Sequence, residues 1–193
     1  MKLALFGHGG HAREVAVQMK KSVTFFVDDC YADEETEPIS KFNPKEYLMM
    51  VAVADSKHRE QIVSKLPKET EYFTFVHPTA LIMSEDIFIG EGSFIGANCI
   101  LTTNITIGKH AILNRGNQIG HDCVIGNYFS AMPGAIVSGS VHIGNRVYIG
   151  TNSSIIEKKY LLNDIKIGAN CTLVSDAVLE GTYVGSPAKR IEN

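Results

Sequence analysis

None of the four cysteines, Cys30, Cys99, Cys123 and Cys171, stands at a CxxC spacing, which removes the usual sequence signal for structural zinc or a redox pair. Charge of one sign is also lacking: 18 Lys and Arg face 21 Asp and Glu, for a net charge of -3. That balance argues against a nucleic-acid or acidic-membrane surface driven by bulk charge. Long hydrophobic runs are missing as well. The opening apolar stretch Leu3-Ala4-Leu5-Phe6 stops at Gly7, too short for a signal peptide, and nothing nears the ~18 apolar residues of a spanning helix. These features lead us to expect a cytoplasmic protein with reduced thiols. No P-loop, HExxH or GxSxG pattern occurs, so nucleophilic Ser or Cys catalysis has no motif behind it.

What is present is a repeat. Stepping by six from Met83 through Ile89, Ile95, Leu101 and onward to Leu173 and Leu179 meets an apolar residue every time. The next residue is often glycine, as at Gly90, Gly108, Gly120 and Gly144, which suggests strands turning tight corners with unusual φ/ψ. Period six suits neither a 3.6-residue helix nor two-residue alternation. It suits a triangular solenoid of about 18 residues per coil, a left-handed parallel β-helix with each aliphatic pointing inward. Two residues before the aliphatics stand Ser93, Cys99, Ala111, Cys123, Ala135, Cys171 and Ala177. That slot reads as one for small side chains, making three of the cysteines core filler. Phe88, Phe94, Val124, Tyr128 and Tyr148 read as outward and apolar, an expected interface between copies of the chain.

The first part of the chain is different. A strand ending at Phe6 meets Gly7-His8-Gly9-Gly10-His11, and then a helix over 12–20. Strand Val23–Val27 ends in Asp28-Asp29, a third strand covers 47–54, and a second helix covers 57–66. This is the order of a small parallel α/β unit, Rossmann-like, with a last strand at 73–76 before His77-Pro78. The expected domains are 1–76 and 77–193, the latter ending in a C-terminal tail. Gly7-x-Gly9-x-x-Ala12, with Asp28 about 20 residues further on, fits a dinucleotide fingerprint. A full dinucleotide fold needs two such halves, so a mononucleotide-sized pocket is the preferred reading, with a bare structural turn or a true NAD site as alternatives.

Of seven histidines, His58, His110 and His142 read as ordinary surface residues. His77 reads as a hinge hydrogen-bonder, and His8 as part of the glycine turn's lining. His121 is followed at once by Asp122, and a carboxylate that fixes an imidazole's tautomer makes a general base. The alternative is a surface histidine.

In combination, Leu5-Phe6-Gly7-His8-Gly9-Gly10-His11, Phe26-Val27-Asp28-Asp29, Val51-Ala52-Val53-Ala54, His77-Pro78-Thr79-Ala80, Gly120 to Gly126 and Val184 to Arg190 carry a resemblance. The chain resembles bacterial sugar O- and N-acyltransferases that join a nucleotide-binding α/β domain to a left-handed β-helix. It is most similar to the UDP-4-amino-sugar (bacillosamine-type) N-acetyltransferases, with sialic-acid O-acetyltransferases as relatives. The resemblance implies acetyl transfer from acetyl-CoA to the amine of a nucleotide-linked amino sugar, in bacterial glycan biosynthesis, without a metal. It implies His121 as base, Asp122 as its orienting acid, and the Gly139 N–H as oxyanion donor. It implies Gly9, Gly10, His11, Asp28, Asp29, Ala54 and Asn114 around the acceptor, with Ala54 standing where glycine is common. It implies Gly139, Thr151, Gly168, Ala169 and Lys189 around CoA, and a homotrimer with CoA between neighbouring β-helices. Sugar O-acetylation, or a non-catalytic nucleotide-binding scaffold, are the rival functions.

Overall fold

The computed structural model describes residues 1–191. The N-terminal part is a parallel four-stranded sheet in the order β3-β2-β1-β4, built from β1 (Lys2–Phe6), β2 (Thr24–Val27), β3 (Glu37–Pro38) and β4 (Tyr47–Val51). Helices α1 (Gly10–Met19) and α2 (Ser56–Lys65) connect and cover it. Strand alternation sorts the core. Ala4, Phe6, Met49 and Val51 point to one side with Ile62 and Leu66, while Leu5 and Met50 point to the other with Ala12, Val15 and Met19. The short edge strand β3 carries too little apolar pattern to show in the sequence.

From Phe75 onward the chain winds through two- and three-residue strands stacked into three parallel sheets. The first face holds Phe88–Ile89, Thr106–Ile107, Val124–Ile125, His142–Ile143 and Tyr160–Leu161. The second runs from Phe75–Val76 through Phe94–Ile95, Ile112–Leu113, Ser130–Ala131 and Tyr148–Ile149 to Ile165–Ile167. It is extended by Gly181–Gly185 and its antiparallel partner Ala188–Ile191. The third runs from Leu81–Ile82 through Ile100–Leu101, Gln118–Ile119, Ile136–Val137 and Ser154–Ile155 to Thr172–Leu173. Phe75–Val76, expected as the last strand of the α/β unit, is therefore the first rung of the second face.

The aliphatic column is buried as expected from Leu101 to Leu173, and each such side chain contributes on the order of 1.5–3 kcal/mol. The register slips at both ends, however. Ile82, not Met83, pairs with Leu101, and Met83 is 59% exposed. At the other end Ala177 bridges to Leu161, leaving Leu179 60% exposed. The even period holds only from the Phe88 rung to Leu173.

Two other expectations need correcting. The glycines after the aliphatics do not have positive φ; the left-handed residues lie two positions later, at Asn98, Asn104, His110, Asp122 and their equivalents. Gly90 and Gly120 are glycine because a Cβ would stand 2.6–2.7 Å from backbone atoms of the next coil. The slot before each aliphatic is buried except at Ile87 and Lys159, and it stays without large side chains only at the edge joining the second and third faces, where Cys99, Asn117, Ala135, Ser153 and Cys171 stand. Elsewhere it also takes Ile105, Phe129 and Val147.

The α/β unit sits on the second face. Phe94 and Ile112 are buried against α1, and Tyr128 and Tyr148 are half-buried, so these aromatics do not form the expected free apolar surface. Arg59 of α2, fully buried, locks the contact. Its Nε donates to the His110 carbonyl at 2.8 Å, Nη1 to Val53 and Ala54, and Nη2 to the carbonyls of Tyr128 and Phe129 and the Ser130 hydroxyl. Burial pushes this guanidinium down to about 9, still cationic at neutral pH. His110 is fully enclosed there, stacked on Tyr128 at 5.2 Å and edge-on to Tyr72 at 4.6 Å, so it is not the surface histidine expected.

Candidate active site

His121 projects from the edge where the chain passes from the third face to the first. The turn that carries it places Asp122 in the left-handed region, φ 59°, which aims the carboxylate back along the edge. Imidazole Nδ1 and Asp122 Oδ2 are 2.7 Å apart. The His121 hydrogen bond first, then that from Asn104, holds the Asp122 carboxyl below its usual range. An ionised carboxylate only accepts, so Nδ1 carries the proton, and in the neutral imidazole Nε2 keeps its lone pair.

That Nε2 lies over Gly139, one coil on. A Cβ at Gly139 would stand 2.5 Å from it, so a side chain there would displace the imidazole from this place on the next coil. The Gly139 N–H finds no hydrogen-bond partner among the described residues, although the residue is buried. At the edge joining the first and second faces, the equivalent N–H groups of Lys109, Asn127 and Asn145 are capped by Asn side chains of the following coil. The residue in that position after Gly139 is Glu157, which makes no such bond. The equivalent N–H groups of Thr103 and His121 on this same edge also find no partner among the described residues, and what distinguishes the Gly139 N–H is its place. It sits beside the free imidazole nitrogen, where it is available to a developing oxyanion.

The remaining candidates lie elsewhere on the same chain. Gly9 and Gly10 open α1, which has no side-chain cap and no acid in its first turn, and a Cβ at either glycine would meet nothing. His11 packs edge-on to Phe94 at 6.0 Å with Nε2 buried and unpartnered, and desolvation above all lowers its pKa. Asp28 borders a cleft of about 100 Å³ with Phe6, Ile39, His58 and Ile62. Asp29 is engaged locally: its Oδ1 accepts the Ser40 N–H at 3.0 Å, which lowers its pKa. The Ala54 carbonyl is turned to Arg59 and Ser130, against the β-helix. Asn114 is buried at the edge joining the second and third faces, where its side-chain oxygen accepts the Arg115 N–H. Arg115 in turn pairs with Glu14 of α1.

Thr151, Gly168 and Ala169 share that second–third edge, and Lys189 is exposed on the terminal hairpin beside it. The candidates thus form two groups. His121, Asp122 and Gly139 occupy one edge of the prism, and the glycine turn, Asn114 and the other CoA candidates lie on or beside the face opposite. Two clefts of about 530 Å³ open on the chain, and neither touches His121. Sequence reasoning missed Asn104 and Asp86, which stand in register with Asp122 on successive coils; the 18-residue spacing was the available signal. No group of three His, Cys, Asp or Glu among the described residues is placed to hold a metal. No helix among them is long and apolar enough to cross a membrane.

Residues 2–66 match the PglD N-terminal domain. Over nearly its whole length the chain is similar to WeeI from Acinetobacter baumannii AYE, with 27% identity, 99% of this chain and 100% of that one covered, and a TM-score of 0.87. It is similar to the acetyltransferase domain of PglB from Neisseria gonorrhoeae FA1090, with 25% identity, coverage of 98% and 99%, and a TM-score of 0.75. A mutant perosamine N-acetyltransferase from Caulobacter crescentus, in complex with CoA and GDP-perosamine, shares the fold at 22% identity, with coverage of 100% and 98% and a TM-score of 0.87.

Proposed function

We propose that the chain is a cytoplasmic acetyl-CoA-dependent N-acetyltransferase acting on the amine of a nucleotide-linked amino sugar. The observation that carries this is the pairing of a free imidazole Nε2 with an unpartnered N–H at Gly139, on a β-helix joined to a small nucleotide-type α/β unit. The amine nitrogen attacks the thioester carbon while His121 Nε2 takes its proton, directly or through a water. The Gly139 N–H meets the oxyanion; its collapse forms the amide and expels CoA thiolate, which takes up a proton. Much of the gain comes from holding thioester and amine together. Gly9 and Gly10 at the uncapped start of α1 suit a phosphate, whose charge the helix N-terminus favours.

The separation of the two residue groups supports a shared site. With the base on one edge and the acceptor group on the opposite face, the site is completed when the His121 edge of one protomer meets the second–third edge of the next. Such a contact is head-to-tail, and closing it gives a ring. A three-sided prism suits a ring of three, with the groove between neighbouring β-helices left for CoA. Phe88 and Val124 remain exposed on the first face beside that edge.

The test is to supply acetyl-CoA with UDP-, dTDP- and GDP-linked 4-amino-sugars and to identify the product by mass. Amide product with CoA release supports the reading. Ester product on a sugar hydroxyl moves the enzyme to O-acetylation, and no CoA release with any acceptor removes catalysis. Mixing inactive His121→Ala and His11→Ala chains restores partial activity if the site is shared between protomers.

A further inference from the structure

We propose that Asn104 is a positioning residue for the base, holding the Asp122 carboxylate so that it can orient His121; this rests on His121 being that base. Asp122 is exposed, so no packing around its side chain fixes the carboxylate. Asn104, one coil earlier on the same edge, stops it: Asn104 Nδ2 donates to Asp122 Oδ1 at 2.7 Å, leaving Oδ2 for imidazole Nδ1 at 2.7 Å. Asn104 is itself held. Its backbone N–H donates to Asp86 Oδ1 at 2.8 Å, and the Thr103 hydroxyl donates to the same carboxylate at 3.1–3.2 Å. The chain Asp86, Asn104, Asp122, His121 crosses three coils: Asp86 holds Asn104 and Asn104 holds Asp122 from one coil earlier, and Asp122 holds His121 beside it.

The neutral amide suits the place. A carboxylate there would repel Asp122 and a lysine would neutralise it, whereas an amide donor fixes the carboxylate and leaves its charge to the imidazole. Asparagine also fits the backbone: Asn104 has φ 50°, a region that glycine, Asn and Asp enter most readily. The same φ decides the test variants. Alanine at 104 would mix backbone strain with loss of the amide, so Asn104→Gly is the deletion and Asn104→Asp the isosteric reversal of donor to acceptor.

The charged groups bearing on His121 are Asp122 beside it, Asp86 beyond Asn104, and Glu157 and Lys158 two coils on in sequence register. In Asn104→Gly, kcat falls about tenfold, the low end for an exposed hydrogen bond to a charged group. The KM for acetyl-CoA is unchanged, and ¹⁵N shifts of His121 in the free enzyme show the Nδ1-protonated tautomer losing population. In Asn104→Asp an added negative charge raises the His121 titration midpoint read by NMR, with a matching upward shift in the acid limb of the kcat/KM profile. The inference is overturned if His121→Ala is inactive while both Asn104 variants keep wild-type kcat, tautomer and titration. If His121→Ala itself keeps full turnover, the base assignment fails first, and the Asn104 inference falls with it.

Discussion

His110 and His121 both stand at corners of the same β-helix, yet their surroundings are opposite. His110 lies beneath the α/β unit, walled by Tyr72, Tyr128 and the Arg59 contact, and burial first, then the Arg59 charge, pushes its pKa down to about 4. His121 lies on an uncovered edge, paired only with Asp122 and lying over Gly139. Corner position alone therefore says nothing about a side chain's role. The covered edge spends its polar groups on holding two units together, while the uncovered edge keeps an imidazole nitrogen and an N–H unspent.

The largest expected effect follows from that contrast. His121→Ala lowers turnover by about 10² to 10⁴, the usual worth of a general base, with the melting temperature unchanged. Steady-state CoA release and a thermal melt together check it. A folded variant with near-normal turnover removes His121 from the mechanism.

Arg59→Leu reverses the pattern, acting on stability rather than chemistry. It leaves the carbonyls of Val53, His110 and Tyr128 without a donor, while Ala54 keeps the Ser130 hydroxyl, Phe129 keeps the Ile112 N–H and Ser130 keeps Ser56. Unmet buried acceptors cost about 1–3 kcal/mol each when isolated, and partial rearrangement brings the expected total to about 3–4 kcal/mol. Urea denaturation reads the loss. A change below about 1 kcal/mol would mean that the apolar contacts of Phe94 and Ile112 hold the units without it.

These two residues also show what the sequence makes legible. The inward aliphatics repeat because every coil buries the same position, so the β-helix is readable without a structure. The slips at Ile82 and Ala177 are not, since Met83 and Leu179 are apolar and continue the pattern by accident of composition. His121–Asp122 is readable because its partners are adjacent in sequence. Arg59, His110 and Phe94 are not, because burial of an outward-facing corner or strand depends on what docks there, and nothing local encodes it. The glycines show a third case: their positions were legible, but their cause, the approach of the next coil, lies 18 residues away.

A smaller effect separates the two histidines by pH. An unfolded imidazole titrates near 6.5, whereas His110 in the fold titrates at about 4. Between these values the unfolded chain binds the extra proton, so this contribution is fully present above pH 6.5 and is lost as pH falls toward 4. Across the whole window it amounts to about 3 kcal/mol. His110→Asn, which tolerates the left-handed φ of 55° at that corner, flattens this part of the stability–pH curve, and His121→Ala leaves it in place. Denaturation midpoints at pH 7, 6 and 5 distinguish the two.

The smallest effect concerns Cys123, two residues from His121 and the nearest thiol to the proposed base. Proximity in sequence suggests a nucleophile, and the structure argues otherwise. The side chain points into the prism, fully buried, with Sγ 3.2 Å from the Ser138 carbonyl, and desolvation raises its pKa. Its thiolate is therefore scarce at neutral pH, and no solvent path leads to it, so it meets neither requirement of a reactive cysteine. Cys123→Ala is expected to leave turnover within about twofold and to cost about 1 kcal/mol for the lost packing. Alkylation of the native protein gives the complementary reading. Cys30, the exposed thiol of the four, is modified quickly, while Cys99, Cys123 and Cys171 react only on unfolding. Rapid native labelling of Cys123, with loss of activity, would place a thiol in the site and undo the separation between a buried, inert interior and an edge that does the chemistry.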